Sequence, residues 1–554
     1  MLKKHTALTY SFFISILFFH SANASTATNQ SEQDKAREMK LAPQQQNSAS
    51  SRDLPVKQQI MFPDETPCRI IHKIEIESDE DKLTQKLLGK LINQANNKCL
   101  GIKGIRLLSQ TLQNELIVQG YITSLIDIPV QSLEDGVLRL TLTWGKVGKI
   151  AFSSDSVSPT SLWNSLPLSK GKILKLADLE QGMANLERTP GSLAKMRLLP
   201  GYELGESDIL LSRSQDKKWQ IGAWLDDAGS RSSGRYQGGG ALYFYDLTGL
   251  NDVAYISMGG DVEFNERNDG NKNRSLYYSI PFGYWMLSLY GSYSEYLQLF
   301  KGRFTTTDYQ SHNRYYNATL SRLLSHTRQQ KTTIEAKIAK STSHYFFGGS
   351  EVRVMRKQNP VWGVTLRHQH YFERKTLSAS LGVQRSLPWL SSMATPEQKA
   401  GLYSKLSRVI NADIQGMMKF KLTGDKFIWA PRLSAQFSPD KLSSDNKFNL
   451  GNRWSVRGFD GESNLSSNQG WYLRNDFIWD LPLSGQQFFV GLDVGKAIGK
   501  NDYYSGKWLS GATIGLRGEK FLTQYELFAG TPISKPNNFK TDTLNLGFSL
   551  QWRY

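Results

Sequence analysis

Cysteine is almost missing from this chain: Cys68 and Cys99 are the only two in 554 residues. That scarcity leaves no Cys/His grouping with zinc spacing. A Walker loop and a G-x-S-x-G element are absent as well, so neither nucleotide use nor serine hydrolysis has its usual sequence mark. Long apolar runs are also wanting. Beyond the N-terminus no stretch reaches 18 apolar residues, so no transmembrane helix is expected in the mature chain. Acidic residues fall short of basic ones, 50 against 67, for a net charge of +17. A strongly basic chain ordinarily points first to nucleic acid. Here the basic residues are scattered rather than gathered into one tract, and the leader described next argues against that partner.

What is present begins with that leader. Lys3 and Lys4 precede an apolar run from Ala7 to Phe19, and Ser21-Ala22-Asn23-Ala24 closes it with an A-x-A site. This three-part pattern predicts a signal peptide over 1–24, with the mature chain starting at Ser25. Export places Cys68 and Cys99 in an oxidising compartment, where an even pair suggests one disulfide. The composition, with mean hydropathy −0.43, 46 Gly and plentiful aromatics, is open to a soluble two-domain enzyme and fits a membrane barrel better. Alternation of lipid-facing and lumen-facing residues dilutes hydropathy in this way.

The texture changes twice along the chain. Residues 25–63 are polar, and Ser31–Leu41 is helix-forming with almost no apolar face. A polar helix lodged in a polar lumen and a disordered tail are both open readings of it. From Cys68 the pattern is compact α/β. A strand over Arg69–Glu77, helices over Asp81–Gln94 and Ile102–Gln119, and strands over Ile122–Pro129 and Gly136–Trp144 are predicted. A shorter version follows: Gly148–Ser153, Ser161–Leu166, Leu176–Glu187, Ala194–Pro200 and Ser207–Arg213. Beyond Trp219 helical signals vanish. Leu377, Ala379, Leu381 and Val383 alternate with Ser378, Ser380, Gly382 and Gln384. Leu544, Leu546, Phe548, Leu550 and Trp552 alternate with Asn545, Gly547, Ser549, Gln551 and Arg553. Segments of about 9–11 residues suit a membrane strand, and an open edge is not tolerated in lipid, so the sheet must close. At roughly 20 residues per strand with its connection, about 16 strands fit, an even number.

Several runs resemble one family. In the first module these are Cys99-Leu100-Gly101-Ile102 and Gly120-Tyr121-Ile122-Thr123. In the second they are Leu179-Glu180-Gln181-Gly182, Asn185-Leu186, Leu199-Pro200-Gly201 and Gly205-Glu206-Ser207-Asp208. In the barrel, Leu450-Gly451-Asn452-Arg453-Trp454-Ser455-Val456-Arg457-Gly458-Phe459 is similar to a G-x-R-x-x-V-R-G-F loop element. Gly491-Leu492-Asp493-Val494-Gly495 is similar to a wall element with a central Asp. Together these resemble the outer-membrane transporters of two-partner secretion, the TpsB exporters of haemolysins and filamentous haemagglutinins. The chain departs from that pattern at Asn452-Arg453, where Gly-Arg is frequent, and at Tyr554, where Phe is commoner.

The resemblance implies a mainly β fold: a transmembrane antiparallel β-barrel of about 16 strands preceded by two small α/β POTRA domains. The division expected is 1–24 signal peptide, 25–63 polar plug helix and linker, 64–146 first POTRA, 147–215 second POTRA and 216–554 barrel. It also implies that the loop folds back into the lumen, where Arg457 pairs with Asp493. Val456, Gly458 and Phe459 flank that Arg, and Gly491 and Gly495 leave room on the wall. Tyr554 would serve as the barrel-assembly signal. A guanidinium suits the pairing because its planar fork matches a carboxylate and stays charged.

The function implied is secretion of a partner exoprotein with an N-terminal secretion domain, from the periplasm to the cell surface. The cargo would be a haemolysin, an adhesin or a contact-dependent toxin, and the Cys pair leans toward the haemolysin branch, whose transporters also activate their cargo. Outer-membrane lipid and lipopolysaccharide, the barrel-assembly machinery and periplasmic chaperones are the other expected partners. A monomer without cofactor, metal or catalysis is expected. A barrel-assembly insertase of the same superfamily is the alternative, although its relatives usually carry more modules. A porin or adhesin would leave residues 68–213 without a purpose. An enzyme has little support: His72 lies in a module strand, His368 and His370 in barrel segments, and Asp226-Asp227 before Gly229 read as a solvated turn.

Overall fold

The computed structural model describes residues 59–231, 234–262, 270–301, 306–327, 329–390, 394–482, 485–499 and 508–554. The expected signal peptide, its cleavage point and the plug helix over 31–41 lie outside the described residues.

The first module contains β1 (Arg69–Ile71), β2 (Lys73–Ser78), α1 (Asp81–Ala95), β3 (Lys98–Leu100), α2 (Ile102–Val118), β4 (Leu125–Asp127) and β5 (Val137–Thr143). Strands β2, β5 and β4 form one sheet, with β2 and β5 parallel. Both helices bury an apolar stripe on it. Leu88, Leu108, Leu112, Leu116, Leu138 and Leu140 are all shielded from solvent in one core.

The strand predicted over Arg69–Glu77 is in fact two. His72 interrupts it, with the amides of His72 and Lys73 both donating to the Gly136 carbonyl. The first half leaves the sheet because β1 pairs instead with β3, a strand the periodicity did not reveal. Next to that ladder Cys68 and Cys99 form a disulfide with their Cα atoms 5.4 Å apart. The strand predicted over Ile122–Pro129 shrinks to β4. The Gln113 side chain donates to the Ser124 carbonyl and accepts from the Ile126 amide, so these backbone groups are satisfied without a longer ladder.

Glu65 nails the preceding segment to this module. Its carboxylate accepts from the amides of Gly101, Lys103 and Gly104 at 2.8, 2.9 and 2.7 Å, which caps the open N-terminus of α2. Some desolvation opposes ionisation, but those three donors hold the carboxyl below its usual range.

The second module contains β6 (Lys146–Phe152), α3 (Leu162–Ser165), α4 (Leu176–Leu186), β7 (Ser192–Pro200) and β8 (Glu206–Gln215). The sheet order is β6-β8-β7, with β7 on an edge.

Sixteen long strands then close into an antiparallel barrel. They run from Trp219–Asp226 to Asn545–Arg553, and these two seal the seam. The lengths depart from the narrow range expected. Trp219–Asp226 has 8 residues, whereas Thr306–His326 has 21. The wall is therefore low at the seam and tall opposite it, well beyond what a bilayer requires. Alternation behaves as period 2 demands: Leu377, Leu381 and Val383 are exposed on the outside. At the seam Tyr554 donates its amide to the Ile221 carbonyl at 3.0 Å, and its ring stacks on Trp552.

The second module is bolted to the barrel by buried polar contacts. Arg213 on β8 donates to the Leu186 carbonyl at 3.1 Å and pairs with Asp246 of the first tight barrel turn at 3.1 Å. Arg188 reaches the Asn251 carbonyl at 2.8 Å and Ser279 Oγ at 2.6 Å. Both guanidiniums are buried, so each must be satisfied in place.

Candidate functional site

The connection between strands Asp425–Phe437 and Gln469–Asp480 is much longer than a turn and folds back into the barrel. A small hairpin, Phe448–Leu450 with Leu465–Ser467, gives it a stem. At its base Asn452 Oδ1 accepts from the amides of Trp454 and Ser455 at 2.9 and 3.0 Å, a local turn of the kind Asn favours. Leu450, Val456, Phe459 and Leu465 pack with Tyr472, Leu509 and Phe539 in an apolar cluster between loop and wall. Phe459 meets Phe539 edge to face, with ring centroids 5.6 Å apart.

Within that cluster sits Arg457. Its Nε donates to Asp493 Oδ2 at 2.7 Å, and its Nη2 donates to Asp493 Oδ1 at 2.7 Å and to Asp476 Oδ1 at 2.5 Å. The Arg457 backbone amide makes the fourth contact of this residue and the third to Asp493, donating to Oδ2 at 3.0 Å. One carboxylate thus receives the fork and the main chain together. Asp493 stands on the strand Gln486–Ile498 and Asp476 on its neighbour Gln469–Asp480, both facing inward.

The glycines explain why the loop can come so close. A Cβ on Gly491 would lie 2.5 Å from Arg457 Nη2, and one on Gly495 would lie 2.8 Å from Val456 Cγ2. Either would push the loop off the wall. Gly458 has φ +96°, a backbone that L side chains resist.

A second ion pair was not foreseen. Arg453 pairs with Asp227, and its Nη1 donates to the Phe548 carbonyl at 3.3 Å. Asp227 also accepts from the Phe548 amide at 2.9 Å and from Arg235 at 3.3 Å. The loop therefore grips both strands of the seam, since Asp227 follows the first and Phe548 belongs to the last. This corrects the reading of Asp226-Asp227 as a solvated turn. Both side chains are buried, and Asp226 Oδ1 accepts from the Ala228 amide.

The structure thus assembles Arg457, Asp493, Val456, Gly458, Phe459, Gly491 and Gly495 at one place. Cys68–Cys99 and Tyr554 lie elsewhere, in the first module and at the seam. Sequence reasoning missed Asp476, Arg474, Arg453 and Asp227. Arg474 Nη1 donates to the carbonyls of Arg453 and Trp454, both at 3.3 Å. The available signal was parity: Arg474 and Asp476 share one face of a membrane strand, and charges there must point inward.

Chemically, the site joins a folded-in loop to the barrel wall through charge-assisted hydrogen bonds.

The chain is similar to known proteins over most of its length. Residues 205–518 match the family described as haemolysin secretion/activation protein ShlB/FhaC/HecB. Residues 70–145 match a ShlB-type POTRA domain, and 146–200 match a POTRA domain. The chain is 28% identical over 469 residues to the outer membrane transporter CdiB-2 of Burkholderia pseudomallei, covering 82% of this chain and 78% of that protein. It is 26% identical over 453 residues to the hemolysin transporter protein HpmB of Proteus mirabilis, covering 80% and 79%. The fold is that of CdiB from Acinetobacter baumannii, with TM-score 0.82 at 24% identity over 96% of this chain and 99% of that one.

Proposed function

This chain belongs to the haemolysin secretion/activation family ShlB/FhaC/HecB, an outer-membrane two-partner secretion transporter with periplasmic POTRA domains, and we propose from that premise how its parts act. Its cargo is one large exoprotein, carrying an N-terminal secretion domain, of the haemolysin, adhesin or contact-dependent toxin class. Residues 64–146 and 147–215 act as the capturing modules and 216–554 as the pore. The chain itself catalyses nothing. Activation of the cargo during passage, if the partner is a haemolysin, accompanies export.

Capture uses the edge strand β7, whose outward side presents Leu193, Lys195, Arg197 and Leu199. An unfolded cargo segment adds there as a further strand, so main-chain hydrogen bonds give grip without demanding much sequence. Passage then needs the loop to leave the lumen. Arg457 with Asp493 and Asp476 is the closure, and exchange of its carboxylates for water or for cargo groups releases it. Vectorial folding outside drives the export.

The observation that carries this reading is the four-point contact of Arg457 with two wall carboxylates. The test is secretion by an Arg457→Ala strain: exported cargo falls sharply while the barrel still inserts. Normal export would sink the role of this contact. Depletion of the whole chain addresses the superfamily alternative. Loss of one secreted protein is expected, whereas loss of many barrels would mark an insertase.

A further inference from the structure

The short helix α3 of the second module is wedged under the barrel rim. Asn164 Nδ2 donates to the carbonyls of Leu250 and Pro281 at 2.8 and 3.0 Å, and its own carbonyl accepts from the Gly283 amide at 2.8 Å. Leu162 packs into the module core, and Asn164 and Ser165 are buried. Trp163 alone points out, 72% exposed. A periplasmic module held this rigidly would be expected to show water a polar side chain at that place.

The ring does not face open solvent on all sides. Its centroid lies 5.8 Å from that of Phe282. Phe282 has the parity of Leu276, which is exposed on the lipid side of the same strand, Gly270–Phe282. Phe282 is in turn paired across the ladder with Trp285, an exposed ring covered on one side by the Arg322 guanidinium 5.0 Å from its centroid. Leu276 and Phe282 are six positions apart, about 20 Å along a strand, which spans most of an apolar band ~25 Å tall. Trp163 therefore extends the barrel's lipid-facing surface by one ring at the level where aromatic girdles sit.

We propose that the second module is itself a membrane-contacting element, with Trp163 seated among the phospholipids of the periplasmic leaflet. The occupant follows from continuity: the surface that Trp163 extends is the exposed apolar exterior of a membrane-spanning barrel, with Leu276 and Trp285 on it. Swinging the module away from the rim would expose this ring to water, so the bilayer helps hold the module's orientation beneath the pore.

Both native cysteines are joined to each other, so an added one can be labelled selectively. Full-length Trp163→Cys, Tyr202→Cys and Leu289→Cys chains are spin-labelled with the disulfide intact and refolded into phosphatidylethanolamine/phosphatidylglycerol vesicles. Accessibility to oxygen is compared with accessibility to a nickel chelate. Position 289 on the barrel exterior supplies the lipid value, and position 202, fully exposed on the same module, supplies the aqueous one. The expected oxygen-to-nickel ratio at 163 is severalfold above that at 202 and approaches that at 289. A ratio matching 202 overturns the proposal. The unmodified chain gives a second reading should Trp163→Cys fail to refold. A photoactivatable phosphatidylethanolamine should label the tryptic peptide 150–170, and labelling confined to barrel peptides overturns the proposal.

Discussion

The first module's core and the loop–wall contact are both dry, but they are dry for opposite reasons. In the module, Leu108, Leu112 and Leu116 of α2 meet Leu138 and Leu140 of β5, and hydrocarbon fills the space. No alternative partner of equal worth exists for those side chains, so the module has one packing. At the loop, Arg457, Asp493 and Asn452 are buried beside glycines and a thin apolar shell, and Asp476 is partly exposed next to them. Each of those polar groups has an equally good partner in water. Burial of charge leaves little net stabilisation while making any single loss expensive. The module is held by packed hydrocarbon, and the loop by paired charge.

Substitutions can break or sharpen that contrast, and the largest effect is expected at the loop. Arg457→Ala removes the fork from buried Asp493, leaving it only the more distant Arg474 at 4.0 Å, a loss of about 3–5 kcal/mol from loop docking. Channel recordings should show a more open pore, and secretion assays should show impaired export. A closed pore with normal export would erase the distinction drawn above. In the module, Leu112→Ala should cost about 2–5 kcal/mol through a cavity, measured by thermal or denaturant unfolding of the full chain, with pore conductance unchanged. Removing the disulfide by Cys68→Ser and Cys99→Ser together should cost roughly 3–4 kcal/mol in the chain-entropy model, again confined to the module.

Gly495→Val tests shape rather than charge. The added branches would collide with Val456, so the loop should detach with Arg457 still present. Conductance close to that of Arg457→Ala would show that fit and charge act as one unit, whereas a wild-type trace would separate them.

The smallest effect is expected at Glu65. Glu65→Gln should speed hydrogen exchange at the amides of Gly101, Lys103 and Gly104 with little change in unfolding. The sign of its pH dependence follows from the depressed carboxyl. Its contribution is present above the unfolded value of about 4.3 and fades as pH falls through the lower folded value. Exchange that responds to the substitution equally at neutral pH and below that range would contradict it.

Much of this architecture was legible residue by residue. Alternation at Leu377–Gln384 and Leu544–Arg553 reflects lipid on one side and lumen on the other; a soluble sandwich alternates too, and segment length with the need to close the sheet in lipid favours the barrel. Helical spacing in Ile102–Gln119 located α2 to within a residue or so. The failures are instructive. His72 ends β1 because of a long-range ladder to Lys98–Leu100 that no local pattern records. Asp227 looked like a turn residue because Asp before Gly usually is one, and its burial depends on Arg453, far away in the chain. Asp476 was silent because a lone inward carboxylate is ordinary in a polar lumen until a guanidinium arrives beside it.

The amino-acid order by itself pointed to the barrel, the two modules and the disulfide pair through periodicity, composition and cysteine count, and to the loop element through its resemblance to a known family. Tertiary structure alone decided that Asp476 and the Arg453–Asp227 pair join the contact, how the loop grips the seam and where Trp163 points. Pairing across the barrel depends on which strand stands beside which, and closure of the sheet sets that.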